Sequence, residues 1–318
     1  MILNKIGDII KRNKSFAVVS HIIPDGDAIG STLGLYNFLS EIGKDVDVFN
    51  PDKLPSKFNF LPGFFDVKDT LVKRHYDCIF VLDCSDKDRL GPLVELLNMA
   101  DVVINIDHHI SNDLFADINY VDTNAGAVGE IIYNLIRING FEISHNTAMC
   151  LYTSIVTDTG GFKYSNTTSM TLNIAGDLIN TGIDFPEINR ILFDSLTAQQ
   201  VKLLSRVTST LELYNNNSIA MLHVTKDMME ECGANENDAS EMVNYARDID
   251  TVEVGVFIKE VEKGKFRVSL RSKNKIDVRI IAEKFNGGGH IRAAGCTVYG
   301  DLDEVKNKVL NEIINHWK

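Results

Sequence analysis

The clearest pattern along the chain is a series of short apolar runs that each stop at an acid or a histidine. Phe16-Ala-Val-Val19 reads as a buried strand of a parallel sheet and ends in Ser20-His21, with Asp25 and Asp27 following in a loop punctuated by Pro24, Gly26 and Gly30. Ala28 to Leu39 reads as a helix and Asp45 to Phe49 as a short strand, after which residues 50–66 form an irregular connection with one short helix. Cys78 to Leu82 is a second apolar run, ending in Asp83, Ser85 and Asp86. A helix over Leu90 to Met99 leads to Val102–Ile106, which ends in Asp107-His108-His109. A strand at 118–121, a helix at 126–137 and a helix at 145–157 follow, the last delivering Asp158, with 162–164 extended behind it. Periodicity then predicts helices at about 168–180, 184–193 and 197–211.

Near residue 212 the pattern changes to a hairpin (211–214 and 218–223 around Asn215-Asn-Asn217), a helix at 236–248 and strands at 252–259 and 265–271. A helix at 277–285, a loop at 286–290, a strand near 295–299 and a C-terminal helix complete the chain. That helix places Leu302, Val305, Val309, Ile313 and Trp317 on one face, a packing stripe. The expectation is an α/β protein: an N-terminal doubly wound, mostly parallel sheet (1–196), a linker helix (197–213) and a smaller C-terminal α/β domain (214–318).

The polar residues at the strand ends are where chemistry belongs in an open α/β sheet. A single acid there is often only a helix cap. Here four separate ends supply His21, Asp25, Asp27, Asp83, Asp107, His108, His109 and Asp158, so several carboxylates converge. Like charges packed that closely demand cations. Six candidate ligands (His21, Asp25, Asp27, Asp83, His108 and Asp158) exceed what one catalytic ion needs. A pair of divalent ions about 3.5–4 Å apart, sharing a carboxylate, uses them all and suits in-line phosphoryl displacement. Hard, carboxylate-rich donors with some imidazole favour Mn²⁺, with Mg²⁺, Co²⁺ or Fe²⁺ as substitutes. A structural zinc site is disfavoured, because acids outnumber imidazoles and no cysteine is near. Gly287-Gly288-Gly289 is a different signal, since its amides can form an anion nest or simply a flexible loop.

Composition narrows the partners. A net charge of −12 argues against sequence-independent binding along a long nucleic acid, while leaving a small phosphorylated substrate open. The apolar runs are too short and interrupted for a membrane span. The first fifteen residues read as an amphipathic helix rather than a signal peptide, and the five scattered cysteines read as reduced thiols, so a cytoplasmic setting is expected.

HIIPDGDAIGS, the VLDCSD strand end, IDHH and YTSIVTDTGGFKYSNTT together resemble the successive motifs of the DHH phosphoesterase superfamily. VSLRS and FNGGGHIRAAG resemble its C-terminal DHH-associated domain, and length and motif set are most similar to the bacterial nanoRNase and phosphoadenosine-phosphatase (NrnA type) branch. The resemblance implies that His21 and Asp25 bind one metal, that Asp27 and His108 bind the other, that Asp83 bridges and that Asp158 completes the site. It implies that His109 lies over the scissile phosphate, as a donor that stabilises charge or protonates the leaving oxygen. Asp107 then either orients an imidazole or serves as a strand-end cap. Arg271 and the loop Gly287, Gly288, Gly289 and His290 would grip the substrate across an interdomain cleft, whereas Arg292 is either near that loop or solvated surface. Lys163 stands where the family often has arginine, keeping the charge but not the fork, and Asn286 stands for a first glycine.

The implied activity is hydrolysis of short oligoribonucleotides to 5′-mononucleotides and dephosphorylation of adenosine 3′,5′-bisphosphate (pAp). The nearest rival is phosphodiester hydrolysis of linear or cyclic dinucleotides (pApA, pGpG, c-di-AMP). A processive exonuclease, a pyrophosphatase and a catalytically silent nucleotide-binding regulator rank lower, the last because all six ligands are present. The assembly, monomer or homodimer, is left open.

Overall fold

The computed structural model describes residues 2–72, 74–239 and 242–317. The chain divides into two units, Met1–Ser195 and Leu196–Lys318. The first unit runs α1 (Ile2–Arg12), β1 (Ser15–Ser20), α2 (Gly26–Glu41), β2 (Asp45–Phe49), two 3-10 turns (Ser56–Phe58 and Phe64–Asp66) and β3 (Tyr76–Leu82). A 3-10 stretch (Lys87–Asn98), β4 (Ala100–Asp107), β5 (Ile118–Val121), α3 (Val128–Ile138), α4 (His145–Asp158), α5 (Ser169–Ile179) and α6 (Phe185–Phe193) complete it.

Its five strands are all parallel, in the order β2-β1-β3-β4-β5. Alternate residues feed two apolar layers. Phe16, Val18, Phe80, Leu82, Ile104 and Ile106 pack under α2, α3 and α4. Ala17, Val19, Ile79 and Val81 pack under Leu90, Leu93 and Leu96 of the 3-10 stretch. Burial on both faces explains why these strands read as continuous apolar runs. The chain order reverses between β1 and β3, so a crevice opens at their carboxyl ends, where His21 and Asp83 follow.

The second unit runs α7 (Ala198–Thr208), β6 (Glu212–Tyr214), β7 (Ile219–Val224), α8 (Lys226–Cys232), a 3-10 turn (Glu236–Ala239), α9 (Met242–Arg247), β8 (Val254–Glu262) and β9 (Lys265–Ser272). It ends with α10 (Val278–Glu283), β10 (Gly288–His290), β11 (Ala293–Tyr299) and α11 (Leu302–Asn315). Its six strands lie in the order β10-β11-β9-β8-β7-β6, parallel only between β7 and β8. Val305, Val309 and Ile313 are fully buried against this sheet, with Leu302 and Trp317 half-buried beside them.

Several expectations are corrected. The helix expected over Leu90–Met99 is a 3-10 stretch, broken where Gly91 takes φ 55 ahead of Pro92. Residues 162–164 form a turn, not an extended segment, with Phe162 left-handed at φ 64. The helix expected at 236–248 is a 3-10 turn followed by the shorter α9, with residues 240–241 outside the described residues, and α8 was not anticipated. Three of the five residues of the 286–290 loop form the short strand β10, paired to β11. Helix α7, expected as a linker, packs Leu203 and Val207 into a core of the second unit. Among the described residues no helix is long and apolar enough to cross a membrane, and all five cysteines are buried thiols outside any disulfide.

Three helices of the first unit meet at unusually close range. A Cβ on Gly30 of α2 would lie 2.5 Å from the Ser154 amide nitrogen and 2.6 Å from the Cys150 carbonyl oxygen of α4. These are backbone atoms, so the clash cannot be relieved by a side-chain rotation. Gly30→Ala is therefore expected to destabilise the first unit by about 3 kcal/mol, the upper part of the overpacking range. A lowered urea midpoint by circular dichroism checks this, and an unchanged midpoint contradicts the close approach.

Candidate metal centre

Asp25 caps α2, its Oδ1 accepting from the amides of Asp27 (3.0 Å) and Ala28 (3.1 Å). The cap turns the chain so that Asp27, two residues on, points inward. Asp27 is 2% exposed. Its carboxylate accepts from the Val128 amide (2.8 Å), which opens α3, from the Gly129 amide (3.4 Å) and from the Ser154 hydroxyl of α4 (2.5 Å). Asp83 leaves β3 in the left-handed region at φ 52, a conformation acids tolerate better than most residues.

His21 and His108 are oriented alike. The Nδ1 of His21 lies 2.6 Å from the Ile22 carbonyl and that of His108 lies 3.1 Å from the Ala125 carbonyl. A carbonyl only accepts, so in each ring Nδ1 carries the hydrogen and Nε2 presents a lone pair. Those lone pairs face carboxylates. His21 Nε2 is 3.6 Å from Asp83 Oδ2, and His108 Nε2 is 3.7 Å from Asp27 Oδ2, 3.8 Å from Asp83 Oδ1 and 3.8 Å from Asp158 Oδ2.

Lone pairs facing anions repel unless a cation lies between them. The separations are too long for hydrogen bonds and wide enough to flank an ion bonded at about 2.0–2.2 Å to each donor. Three overlapping groups have ligand atoms within 4.8 Å of one another: His21 with Asp25 and Asp83, Asp27 with His108 and Asp158, and Asp83 with His108 and His109. Asp83 links the first group to the third and His108 links the third to the second, and Asp83 turns Oδ2 toward His21 and Oδ1 toward His108. Its Oδ1 is buried with no hydrogen-bond partner. A buried orphan acceptor among acids is what a metal ligand looks like before loading. The residues therefore fit a pair of divalent cations.

The charges answer to the same crowding. Burial, then repulsion from Asp27, Asp25 and Asp158, pushes Asp83 well above the usual carboxylate range. Burial and Asp27 push Asp158 up to about 8, and burial raises Asp27. Burial holds His21 down. Burial also opposes the His108 cation, but Asp27 and Asp158 outweigh it and raise that group.

Asp107 behaves differently. It is fully buried, yet hydrogen bonds from His109 Nδ1 (2.7 Å), Asn112 Nδ2 (2.6 Å) and the His108 amide (2.8 Å) overcome burial and hold its carboxyl low. Of the two expected roles for Asp107, the geometry supports orienting an imidazole, and that imidazole is His109. Asn112 and the buried Asn105, to which it is bonded at 2.8 Å, were missed by sequence reasoning. So were Ser154 and Asn166, whose Nδ2 donates to the Gly126 carbonyl (2.9 Å) and the Asp158 carbonyl (3.1 Å). Amides and hydroxyls of this kind carry no spacing signal.

The remaining candidates lie apart from this cluster in the sequence. Lys163 is exposed on the 162–164 turn. In the second unit, Arg271 pairs in register with Gly255 and Ala293 and donates to the Leu270 carbonyl at 3.1 Å. Gly288, Gly289 and His290 are exposed on β10, and Gly289 takes φ 142. A Cβ on Gly287 would stand 2.2 Å from the Gly295 carbonyl oxygen, so the turn tolerates only glycine there. Arg292 is exposed, and its guanidinium donates to the carbonyls of Ile276 and Asn274 and staples that loop.

Fold and site together define a metal-assisted phosphoesterase architecture, and the chain belongs to the DHH family. The DHH family N-terminal domain matches residues 15–155 and the DHHA1 domain matches residues 217–316. Two relatives are each named bifunctional oligoribonuclease and PAP phosphatase NrnA. The one from Thermus thermophilus is 35% identical over 93% of this chain and 88% of its own length. The one from Bacillus subtilis is 30% identical over 88% of each. The crystal structure of an exopolyphosphatase-related protein from Bacteroides fragilis superposes with a TM-score of 0.93 at 28% identity, covering 99% of this chain and 96% of that one.

The raised carboxyls make a stability prediction. Asp27, Asp83 and Asp158 stand above their unfolded values, so the folded chain holds more protons than the unfolded one from about pH 4 upward. Metal-free stability is thus expected to fall as pH rises toward about 8, the value for Asp158. Asp83→Asn removes one acid from the crowded cluster and is expected to raise the apparent Tm of the metal-free protein at pH 8, by roughly 2–4 °C per kcal/mol of repulsion relieved. The same change should abolish the Tm increase that Mn²⁺ gives the wild type. A variant that is less stable without metal and still stabilised by Mn²⁺ would remove Asp83 from the ligand set.

Proposed function

We propose that this chain is a two-metal phosphoesterase that hydrolyses short oligoribonucleotides to 5′-mononucleotides and removes the 3′-phosphate of pAp. The observation that carries the reading is Asp83, one carboxylate addressing two imidazole-carboxylate groups with an unpaired buried oxygen. His21 and Asp25 would hold one ion, Asp27, His108 and Asp158 the other, and Asp83 both. Two divalent ions, Mn²⁺ by preference of the donor set, supply a nucleophile from water at neutral pH and neutralise charge on the phosphoryl oxygens.

The two activities are one chemistry. Releasing a 5′-mononucleotide from an oligoribonucleotide and releasing phosphate from pAp both break a P–O3′ bond, so in each the group that leaves is a 3′-oxygen. That oxygen departs as a poor leaving group unless it is protonated. His109 suits the task, because Asp107 accepts from its Nδ1–H and fixes the orientation of the ring. Asp27 is held by two amides and a hydroxyl, which prevents it from swinging onto the substrate. Arg271 and the Gly287–His290 segment would recognise the terminal phosphate or base, and Lys163 would add an undirected positive charge. The net charge of −12 favours short substrates, and the cytoplasm, where the five buried thiols stay reduced, is the setting that fits. The names of the NrnA relatives support the same substrates.

A panel assay with Mn²⁺ over pAp, di- to pentanucleotides, cyclic dinucleotides and pyrophosphate tests the reading. Expected products are AMP with phosphate from pAp, and 5′-mononucleotides from the linear oligomers. Undetectable turnover of both, or preference for pyrophosphate or cyclic dinucleotides, overturns it. Within the active protein, His109→Ala is expected to lower kcat about 10²–10⁴-fold on these substrates. The loss should shrink on a p-nitrophenyl phosphodiester, whose leaving group needs no proton. An equal loss on both removes His109 from the proton-donor role.

A further inference from the structure

The two imidazoles whose lone pairs face the carboxylate cluster share an arrangement that extends one bond beyond their carbonyl partners. His21 Nδ1–H donates to the Ile22 carbonyl at 2.6 Å, and the N–H of that same peptide group, on Ile23, donates to Asp52 Oδ2 at 2.6 Å. His108 Nδ1–H donates to the Ala125 carbonyl at 3.1 Å, and the N–H of that same peptide group, on Gly126, donates to Glu130 Oε1 at 3.2 Å. Each ring is thus joined to a carboxyl group through a single peptide unit. A carboxylate accepting from a peptide N–H polarises the group and makes its carbonyl a stronger acceptor. A stronger acceptor on Nδ1–H fixes the tautomer and raises the donor strength of Nε2.

Both positions show local features that accord with this bonding. Ile23 is a β-branched residue at φ 54 and is 73% exposed, so no packing holds it in the left-handed region. The hydrogen bond to Asp52 does. Asp52 is itself placed by Asn50, whose Oδ1 accepts from the Asp52 amide (3.0 Å) and whose Nδ2 donates to the His21 carbonyl (3.0 Å). At the second position a Cβ on Gly126 would lie 2.7 Å from Glu130 Oε1, so glycine is what lets the carboxyl reach the peptide. Glu130 is 3% exposed and is steadied by the Thr171 hydroxyl at 2.7 Å. His109 needs no such relay, because Asp107 bonds it directly.

We infer that Asp52 and Glu130 are positioning residues, each setting the tautomer and ligand strength of one imidazole, His21 and His108 respectively, through one intervening peptide group. The inference rests on the two-metal reading for its affinity consequence but not for its tautomer consequence. That separates the two tests.

In the full-length metal-free protein at pH 8, ¹⁵N NMR is expected to show His21 and His108 as Nδ1–H tautomers. Asp52→Ala should shift His21 toward a tautomer mixture and leave His108 unchanged. Mn²⁺ titration by electron paramagnetic resonance should show one of two ions weakened about tenfold. Asp52→Asn, which keeps an acceptor, should recover most of both effects. Glu130→Leu should do the same to His108 and the other ion, and if it does not fold, the His108 ¹⁵N shifts of Glu130→Gln supply the reading. An unchanged His21 tautomer with Mn²⁺ affinity within twofold of wild type in Asp52→Ala overturns the inference. So does a shift of both imidazoles together, since one carboxyl would then not serve one ring. If the wild type binds no pair of Mn²⁺ ions, the two-metal reading falls, while the tautomer comparison still decides the relay.

Discussion

Several carboxylates confined to a water-poor crevice repel one another, and the first unit is arranged around that conflict. Folding presses Asp27 and Asp83 to near-complete burial and brings Asp158 within reach of both. Uncompensated, such charges protonate or open the fold. Two devices hold them. The amides of Val128 and Gly129 at the start of α3 put partial positive charge on Asp27. Ser154, Gly30 and Gly129 let α2, α3 and α4 approach closely enough for those bonds to form. The small residues are therefore electrostatic parts as much as packing parts, because a bulkier side chain would pull the amides off the carboxylate.

The histidines divide the remaining work by the kind of acceptor each Nδ1 meets. A carbonyl that accepts from Nδ1–H turns Nε2 outward, which suits ligation. A carboxylate is the stronger, charge-assisted acceptor and fixes the orientation of the ring. His21 and His108 have the first partner and His109 has the second, although His108 and His109 are adjacent in the chain. Adjacent residues at a strand end point in different directions, so one Asp-His-His run presents two rings with different partners. Asp107 makes this possible because Asn112 and the His108 amide satisfy its other valences and keep it charged.

The parallel strands were legible because burial on both faces leaves continuous apolar runs, and the site because each run ends in Asp or His. What escaped was set by geometry without a residue signature. The Gly91 break turned an expected helix into a 3-10 stretch although its leucines still fill the core at helical intervals. Phe162 reads as strand by composition, yet α4 ends in a glycine-rich turn that leaves it left-handed. The Gly287–His290 segment looks like a loop because glycine has no strand propensity, and the ladder with β11 overrides that. Asp52 lies in an irregular stretch and Glu130 on an amphipathic helix, where either acid reads as solvated. Only the peptide groups between them and the imidazoles give them a role.

The same electrostatics bears on substrate length. Every phosphate added to a bound strand beyond the reacting one must be neutralised or must meet the field of a chain with net charge −12. Several cationic side chains are spent on structure: Arg292 on two carbonyls, Arg74 on Asp45 and Asp47, Arg190 on Glu187, Lys306 on Glu212. A strand of many phosphates would thus accumulate repulsion with each nucleotide, whereas a dinucleotide or a bisphosphate carries few charges beyond the reacting phosphate. On the proposed reading, short substrates would be favoured because long ones meet uncompensated charge.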